Sequence, residues 1–183
     1  GKKSVATTVE TGRLLELATQ DLGVRVFRGR VGDADVSHLA QETNAAIGVE
    51  QVGVYIIPQV GYYPDSMFAA LTLLSHIGEA SDIRAFFQRL PALFFDKGRI
   101  NCPNESKAAL MGRVAEKASG LGAASVSALD GVRLDFGDSW LLVRASGTEP
   151  IIRVLAESPS ATTTKELVEK GVRLVQGSIS GGA

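Results

Sequence analysis

Cysteine is almost absent from this chain. Cys102 stands alone, so no internal disulfide forms and packing must stabilise the fold. A lone thiol fits a reducing compartment, and a cytoplasmic location is the expectation. Cys102 lies in an apolar, strand-like run, where a buried and inert thiol is its expected role. Histidine is scarce too. His38 and His76 fall on separate predicted helices, and neither has a partner at metal-ligand spacing, so neither is assigned to a metal or to general-base work. An excess of one charge is also missing. Nineteen Lys and Arg against 20 Asp and Glu give a net charge of −1, which excludes a general pull toward nucleic acid or an anionic membrane. No run of eighteen apolar residues occurs, so no transmembrane helix is expected. The stretch from Gly1 to Ala6 carries no signal-peptide core, and the start at Gly rather than Met suggests a processed or trimmed chain. No internal repeat is visible.

What is present is more specific. Apolar residues make up 45% and charged residues 21% of 183 positions, an ordinary globular composition, long enough for one large domain or two small ones. From Arg144 to Arg153 the chain reads Arg-Ala-Ser-Gly-Thr-Glu-Pro-Ile-Ile-Arg. Arginine offers a rigid fork of N–H donors that matches phosphate. Ser146 and Thr148 add hydroxyl donors, and Gly147 lets backbone N–H groups approach an anion closely. Pro150 stiffens the exit. The stretch reads as a phosphate cradle. The bland alternative is a polar hairpin loop with two solvated arginines, and Arg153 could instead pair with Glu149 or Glu157, an interaction of under about 1 kcal/mol.

Hydrophobic periodicity outlines the elements. Ser4 to Val9 is a buried strand, and Thr11 is positioned to cap a helix carrying Leu14, Leu15, Ala18 and Leu22 that Gly23 stops. Val24 to Phe27 is a second strand, Ala34 to Ala46 a helix, and Val52 to Ile57 a third strand. Pro64 opens a helix running to Ile77, and Ser81 caps a helix from Asp82 to Arg89. Strand and helix alternate here with continuously apolar strands, so a parallel sheet covered by helices is expected. The style changes near residues 88–96. Beyond lie a strand from Ala92, a helix from Glu105 to Ala118, and strands Val132 to Phe136 and Trp140 to Val143 joined by Gly137-Asp138. A strand from Ile151 to Ala156, a helix from Ala161 to Val175 and a frayed tail from Gly177 complete the chain. The fold class is α/β plus α+β, with an α/β domain at 1–90 and an antiparallel sheet with helices at 91–183.

The order Arg144-x-Ser146-Gly147-Thr148-Glu149-Pro150-x-x-Arg153, followed by Val154-Leu155-Ala156-Glu157, resembles the C-terminal phosphate-binding loop of the α-D-phosphohexomutases. These are the phosphoglucomutase, phosphomannomutase and phosphoglucosamine mutase enzymes. The resemblance extends over most of the chain. Val31-Gly32-Asp33 is similar to an element of the family's third domain, and Gly48-Val49-Glu50-Gln51-Val52-Gly53 stands where the sugar-specificity loop is expected. Tyr55-Ile56-Ile57-Pro58 favours the archaeal type of that loop, and Asp65 before an apolar helix also fits. The departures are Val49 for the usual Gly, Val52 and Val54 for the bacterial Ser and His, and Ser66 for the usual Gly. The resemblance therefore covers the family's third domain, incomplete at its N-terminal side, and its fourth.

As the resemblance implies, Arg144, Ser146, Gly147, Thr148 and Arg153 bind phosphate, and Glu50 and Gln51 bind sugar. Locally, Glu50 also reads as a solvated carboxylate at a strand entry. The family's chemistry passes a phosphoryl group through a phosphoserine and a hexose 1,6-bisphosphate, with Mg²⁺ on an Asp-rich loop. Neither a Thr-Ala-Ser-His-Asn-Pro-like nor an Asp-Gly-Asp-x-Asp-Arg-like segment occurs here, and Asp33-Ala34-Asp35 reads as a turn and helix cap. No catalytic residue and no metal ligand is assigned. The expected partners are a hexose phosphate and the missing N-terminal domains, with no nucleic acid and no membrane, and the chain by itself is expected to be inactive. The alternative is a free-standing phosphosugar-binding protein or one half of a split enzyme.

Overall fold

A computed structural model of the chain describes residues 3–180, and two units separate within it, Gly1–Pro91 and Ala92–Ala183.

The first unit is built on β1 (Ser4–Thr8), whose five residues are all buried. A short helix α1 (Leu14–Thr19) follows and tightens into a 3₁₀ turn that Gly23 ends with φ 63°. Then come β2 (Arg25–Gly29), α2 (Asp33–Glu42), β3 (Ile47–Glu50), β4 (Val54–Ile56), α3 (Ser66–His76) and α4 (Ala80–Gln88). The sheet order is β2-β1-β3-β4. β1 runs parallel to β2 and to β3, as the strand–helix alternation predicts. β4 corrects the all-parallel expectation: it turns back antiparallel on β3, pairing Glu50 with Val54. The predicted single strand from Val52 to Ile57 is thus the second arm of a hairpin. Its turn is closed by the Gly53 N–H donating to the Glu50 carbonyl at 3.1 Å, with Gly53 at φ 90°, a conformation that favours glycine. The core gathers Ala6, Val36, Ala40, Ala45 and Ile56. Gly48 faces α2 so closely that a Cβ there would lie 2.9 Å from Val36 Cγ1.

Several end signals differ from expectation. Thr11 does not cap α1; its hydroxyl bonds those of Thr7 at 2.7 Å and Thr8 at 3.3 Å, and Arg13 holds the cap position. α2 stops at Glu42 rather than Ala46 because Asn44 turns the chain at φ 49°. Pro64 lies before α3, where Asp65 is the cap and accepts from the Phe68 N–H at 2.8 Å. α4 is capped by Glu79 in a reciprocal box with Asp82, and Ser81 sits inside the helix. Neither α3 nor α4 has a buried residue, and Met67, Leu71, Leu73 and Leu74 of α3 are exposed.

The second unit comprises β5 (Phe94–Asn101), α5 (Asn104–Ala118), β6 (Ser125–Ser127), β7 (Val132–Asp135), β8 (Trp140–Ala145), β9 (Ile151–Ser158) and α6 (Ala161–Ser180). Its sheet has the order β5-β9-β8-β7-β6, and every pair is antiparallel. β6 was not anticipated; its three residues are all exposed, so it lacks the apolar alternation that marks a strand. Leu110, Val114 and Ala118 of α5, with Leu167, Val168 and Val175 of α6, pack on Leu134, Leu141, Val143, Ile152 and Val154. Strand alternation then puts Arg133, Trp140, Leu142, Arg144, Arg153 and Glu157 on the opposite face. Trp140 is fully buried there. Its Nε1–H donates to Glu157 Oε1 at 3.0 Å, and the Arg133 guanidinium lies 4.2 Å from a Trp140 ring centroid. The predicted frayed tail is corrected as far as Ser180, since α6 runs on to that residue. Arg113 Nε donates to the Ser178 carbonyl at 2.7 Å and Lys117 Nζ to the Gly177 carbonyl at 2.7 Å, so cations of α5 hold the end of α6. Residues 181–183 of that tail lie outside the described residues. Cys102 is buried just past β5, as expected. Among the described residues, no helix is long and apolar enough to cross a membrane.

Candidate functional site

The decapeptide folds as the end of β8, a five-residue loop and the start of β9. The Ser146 N–H donates to the Ile151 carbonyl at 3.0 Å and closes the loop. Ser146 is buried, and its Oγ accepts from the Glu149 N–H at 3.2 Å, which folds the loop over its own first residue. Lys107 reaches across from α5 and donates to the Ser146 and Glu149 carbonyls, both at 2.6 Å. With these carbonyls turned toward an ammonium, the tip is left with donors. Gly147 and Thr148 are exposed, and among the described residues neither their N–H groups nor the Thr148 hydroxyl has a partner. Gly147 has no positive φ, and a Cβ there would meet nothing within 4 Å.

Both arginines of the motif hold carboxylates. Arg144 Nε donates to Asp130 Oδ2 at 2.9 Å, with side-chain exposures of 11% and 16%. Arg153 Nη2 donates to Glu149 Oε2 at 2.7 Å, with exposures of 35% and 45%. The Arg153–Glu149 pairing weighed from the sequence is therefore present. It engages one nitrogen of the fork, and Nε and Nη1 of Arg153 have no acceptor among the described residues. The two cations differ in consequence: Arg144 is fixed by a nearly enclosed pair, whereas Arg153 is held by a half-exposed one.

The sheet register adds a residue that sequence reasoning missed. Arg153 of β9 lies directly opposite Arg144 of β8 on one side and Arg99 of β5 on the other. Directly opposed residues share a face, so three guanidiniums line up across three adjacent strands. Only the pairing of β5 with β9, separated by more than 50 residues in sequence, discloses this. Lys107 and Asp130 were likewise unsignalled, because each acts from another element.

Glu50 and Gln51 belong to the first unit, at the end of β3 and in the turn that follows. Glu50 is half-buried rather than simply solvated. Its Oε1 accepts from the Gly32 N–H at 2.9 Å, tying the hairpin to the cap of α2. Gln51, Val52 and Gly53 are exposed. Asp33 Oδ1 accepts from the Ala34 N–H at 2.8 Å in the first turn of α2, but Gly32 holds the cap position, so the expected side-chain cap does not form. Among the described residues, no group of three or more His, Cys, Asp or Glu is placed to hold a metal ion.

Comparison with known families assigns both units. The model of phosphoglucomutase/phosphomannomutase α/β/α domain III matches residues 1–93, and that of the C-terminal domain of the same enzymes matches residues 99–174. The chain belongs to the phosphoglucomutase/phosphomannomutase family. The resemblance read from the motif therefore holds, and so does the fold class, with the antiparallel β4 as the correction noted above. A "Probable phosphoglucosamine mutase" of Thermococcus kodakarensis is 36% identical over 181 residues, 98% of this chain and 40% of the relative. A phosphoglucosamine mutase of Methanococcus aeolicus is 34% identical over 179 residues, 96% of this chain and 39% of the relative. The chain thus spans about two fifths of the length of the curated relatives it matches. Among solved structures, a phosphoglucomutase/phosphomannomutase family protein from Burkholderia thailandensis superposes with a TM-score of 0.80 at 21% identity, covering 100% of this chain and 39% of that one. An N-acetylphosphoglucosamine mutase from Aspergillus fumigatus, solved with GlcNAc-6P and magnesium, gives a TM-score of 0.63 at 16% identity, covering 95% of this chain and 42% of that one. These likenesses concern the fold.

Proposed function

We propose that this chain is the substrate-holding, C-terminal part of a phosphohexomutase that interconverts hexose 1-phosphates and 6-phosphates, with glucosamine phosphates as its first candidate substrates. The observation that carries the reading is the loop from Ser146 to Pro150. Its carbonyls are drawn back by Lys107, its tip presents unpaired N–H and hydroxyl donors, and Arg144 and Arg153 flank it. The backbone at Gly147 is open, with nothing within 4 Å of where a Cβ would stand, so an anion can approach its N–H. The names of the curated relatives favour glucosamine phosphate over glucose or mannose phosphate.

In this account the loop holds the phosphate that is not being transferred. Gly147 and Thr148 donate backbone N–H groups, Thr148 and Ser146 donate hydroxyls, and Arg144 and Arg153 supply charge-assisted hydrogen bonds. Donors of these kinds recognise phosphate without recognising the carbon that bears it, so one cradle accepts a sugar bound either way round. Glu50 and Gln51 accept and donate hydrogen bonds to sugar hydroxyls. The transferred phosphoryl group comes from a phosphoserine outside this chain, and positioning is what these residues contribute to the reaction. The 183-residue chain alone is accordingly inactive.

The test is a chimera. The part of the Methanococcus aeolicus enzyme that precedes its match to this chain is joined to residues 1–183 and assayed on glucosamine, glucose and mannose phosphates. Turnover by the chimera, none by the chain alone, and a loss of at least about a hundredfold in Arg153→Ala are expected. A folded chimera with full activity after Arg153→Ala would refute the reading.

A further inference from the structure

Three guanidiniums placed directly opposite one another across β5, β9 and β8 repel, and like charges in register destabilise a sheet. Two of them have a carboxylate to hold: Arg144 has Asp130 and Arg153 has Glu149. The third, Arg99, is exposed, and its guanidinium has no hydrogen-bond or ion-pair partner among the described residues. The row and its two carboxylates leave one positive charge over, and the Lys107 ammonium under the loop makes two. A phosphate monoester carries about −1.5 to −2 at neutral pH, which matches that excess.

We infer that Arg99 is a third arginine of the phosphate site, contacting the same phosphate as Arg153 from the neighbouring strand. This rests on the phosphate-loop reading above and extends it to a residue outside the motif. Neighbouring strands are about 4.8 Å apart, so two arginines on β5 and β9 stand close enough to grip one phosphate. Arg153 already spends one nitrogen on Glu149, so its fork alone cannot surround the ligand. Arg99 spends none and supplies the missing donors. Because it touches the phosphate and not the sugar, its contribution is the same for every phosphosugar and for inorganic phosphate.

The experiment is calorimetric titration of the 183-residue chain with inorganic phosphate and with glucosamine 6-phosphate at low salt, alongside thermal melting. Arg99→Gln should weaken both ligands by the same factor, about fivefold to tenfold, with a melting temperature no lower than that of the unmodified chain. Arg99→Lys keeps the charge but loses the fork, and should recover part of that loss. Arg153→Ala is the control for the site itself. If it abolishes binding while Arg99→Gln stays within about twofold of the unmodified chain, this inference fails and the phosphate-loop reading stands. If neither ligand binds the unmodified chain, or Arg153→Ala binds as well as it does, both fail.

Discussion

The two units use their helices differently. In the second, α5 and α6 drive Leu110, Val114, Leu167 and Val175 into one core beneath a five-stranded sheet. In the first, only α2 places residues in the core, and α3 and α4 bury none. The candidate loops follow the same division. The loop from Ser146 to Pro150 is tied to α5 by two lysine hydrogen bonds and to itself by the buried Ser146. The turn after Glu50 has two side-chain ties, Glu50 Oε1 to the Gly32 N–H at 2.9 Å and the Ser66 hydroxyl to the Gly53 carbonyl at 2.9 Å, and Val52 between them is 82% exposed. The loop proposed to hold phosphate thus stands on the unit whose helices bury their apolar faces, and Glu50 and Gln51, proposed to contact sugar, stand on the unit where α3 and α4 bury no residue.

That contrast is breakable, most severely at Gly131. It has φ 79°, and a Cβ there would lie 2.4 Å from the Val143 carbonyl. Gly131→Val should separate β7 from β8 beside Arg144 and cost at least about 4 kcal/mol, leaving the second unit unfolded in thermal melts while the first keeps its amide protection. Next comes Lys107→Met, which leaves two loop carbonyls without their ammonium. A loss of about 1–2 kcal/mol in chemical denaturation is expected, with increased hydrogen exchange at residues 146–149. Arg153→Ala removes only a half-exposed ion pair and should shift stability by less than about 1 kcal/mol while phosphate binding collapses, which separates binding from folding. The smallest effect belongs to α3. Leu74→Ser at a position 64% exposed should change stability by no more than about 0.5 kcal/mol, whereas Leu141→Ala in the second core should cost about 2–5 kcal/mol.

The same contrast explains how much was legible in the sequence. Strands β8 and β9 are mostly apolar runs, β7, β8 and β9 are buried along most of their length, and α6 carries Leu167, Val168 and Val175 into the core, so short apolar runs and helical spacing located them. The hairpin between β7 and β8 was legible from its Gly137-Asp138 turn, and Gly137 indeed has φ 94°. β4 was misjudged because three residues between Glu50 and Val54 reverse the chain, and no apolar period distinguishes a reversal from a continuous strand. Caps were misassigned where a residue of the right type had another partner: Thr11 bonds Thr7, and Ser81 yields to the Glu79–Asp82 box. Within the candidate site, the motif from Arg144 to Arg153 was plain because its residues are contiguous. Arg99, Lys107 and Asp130 were not, because strand pairing and helix packing bring them there from distant parts of the chain.

The central claim is that the loop of the second unit takes phosphate. The most direct measurement is an amide-resolved NMR titration of the 183-residue chain with inorganic phosphate. The account predicts the first and largest shifts at Gly147, Thr148 and Glu149, with the core amides of α6 unmoved. Shifts confined to other parts of the chain, with residues 146–149 silent at saturation, would contradict it.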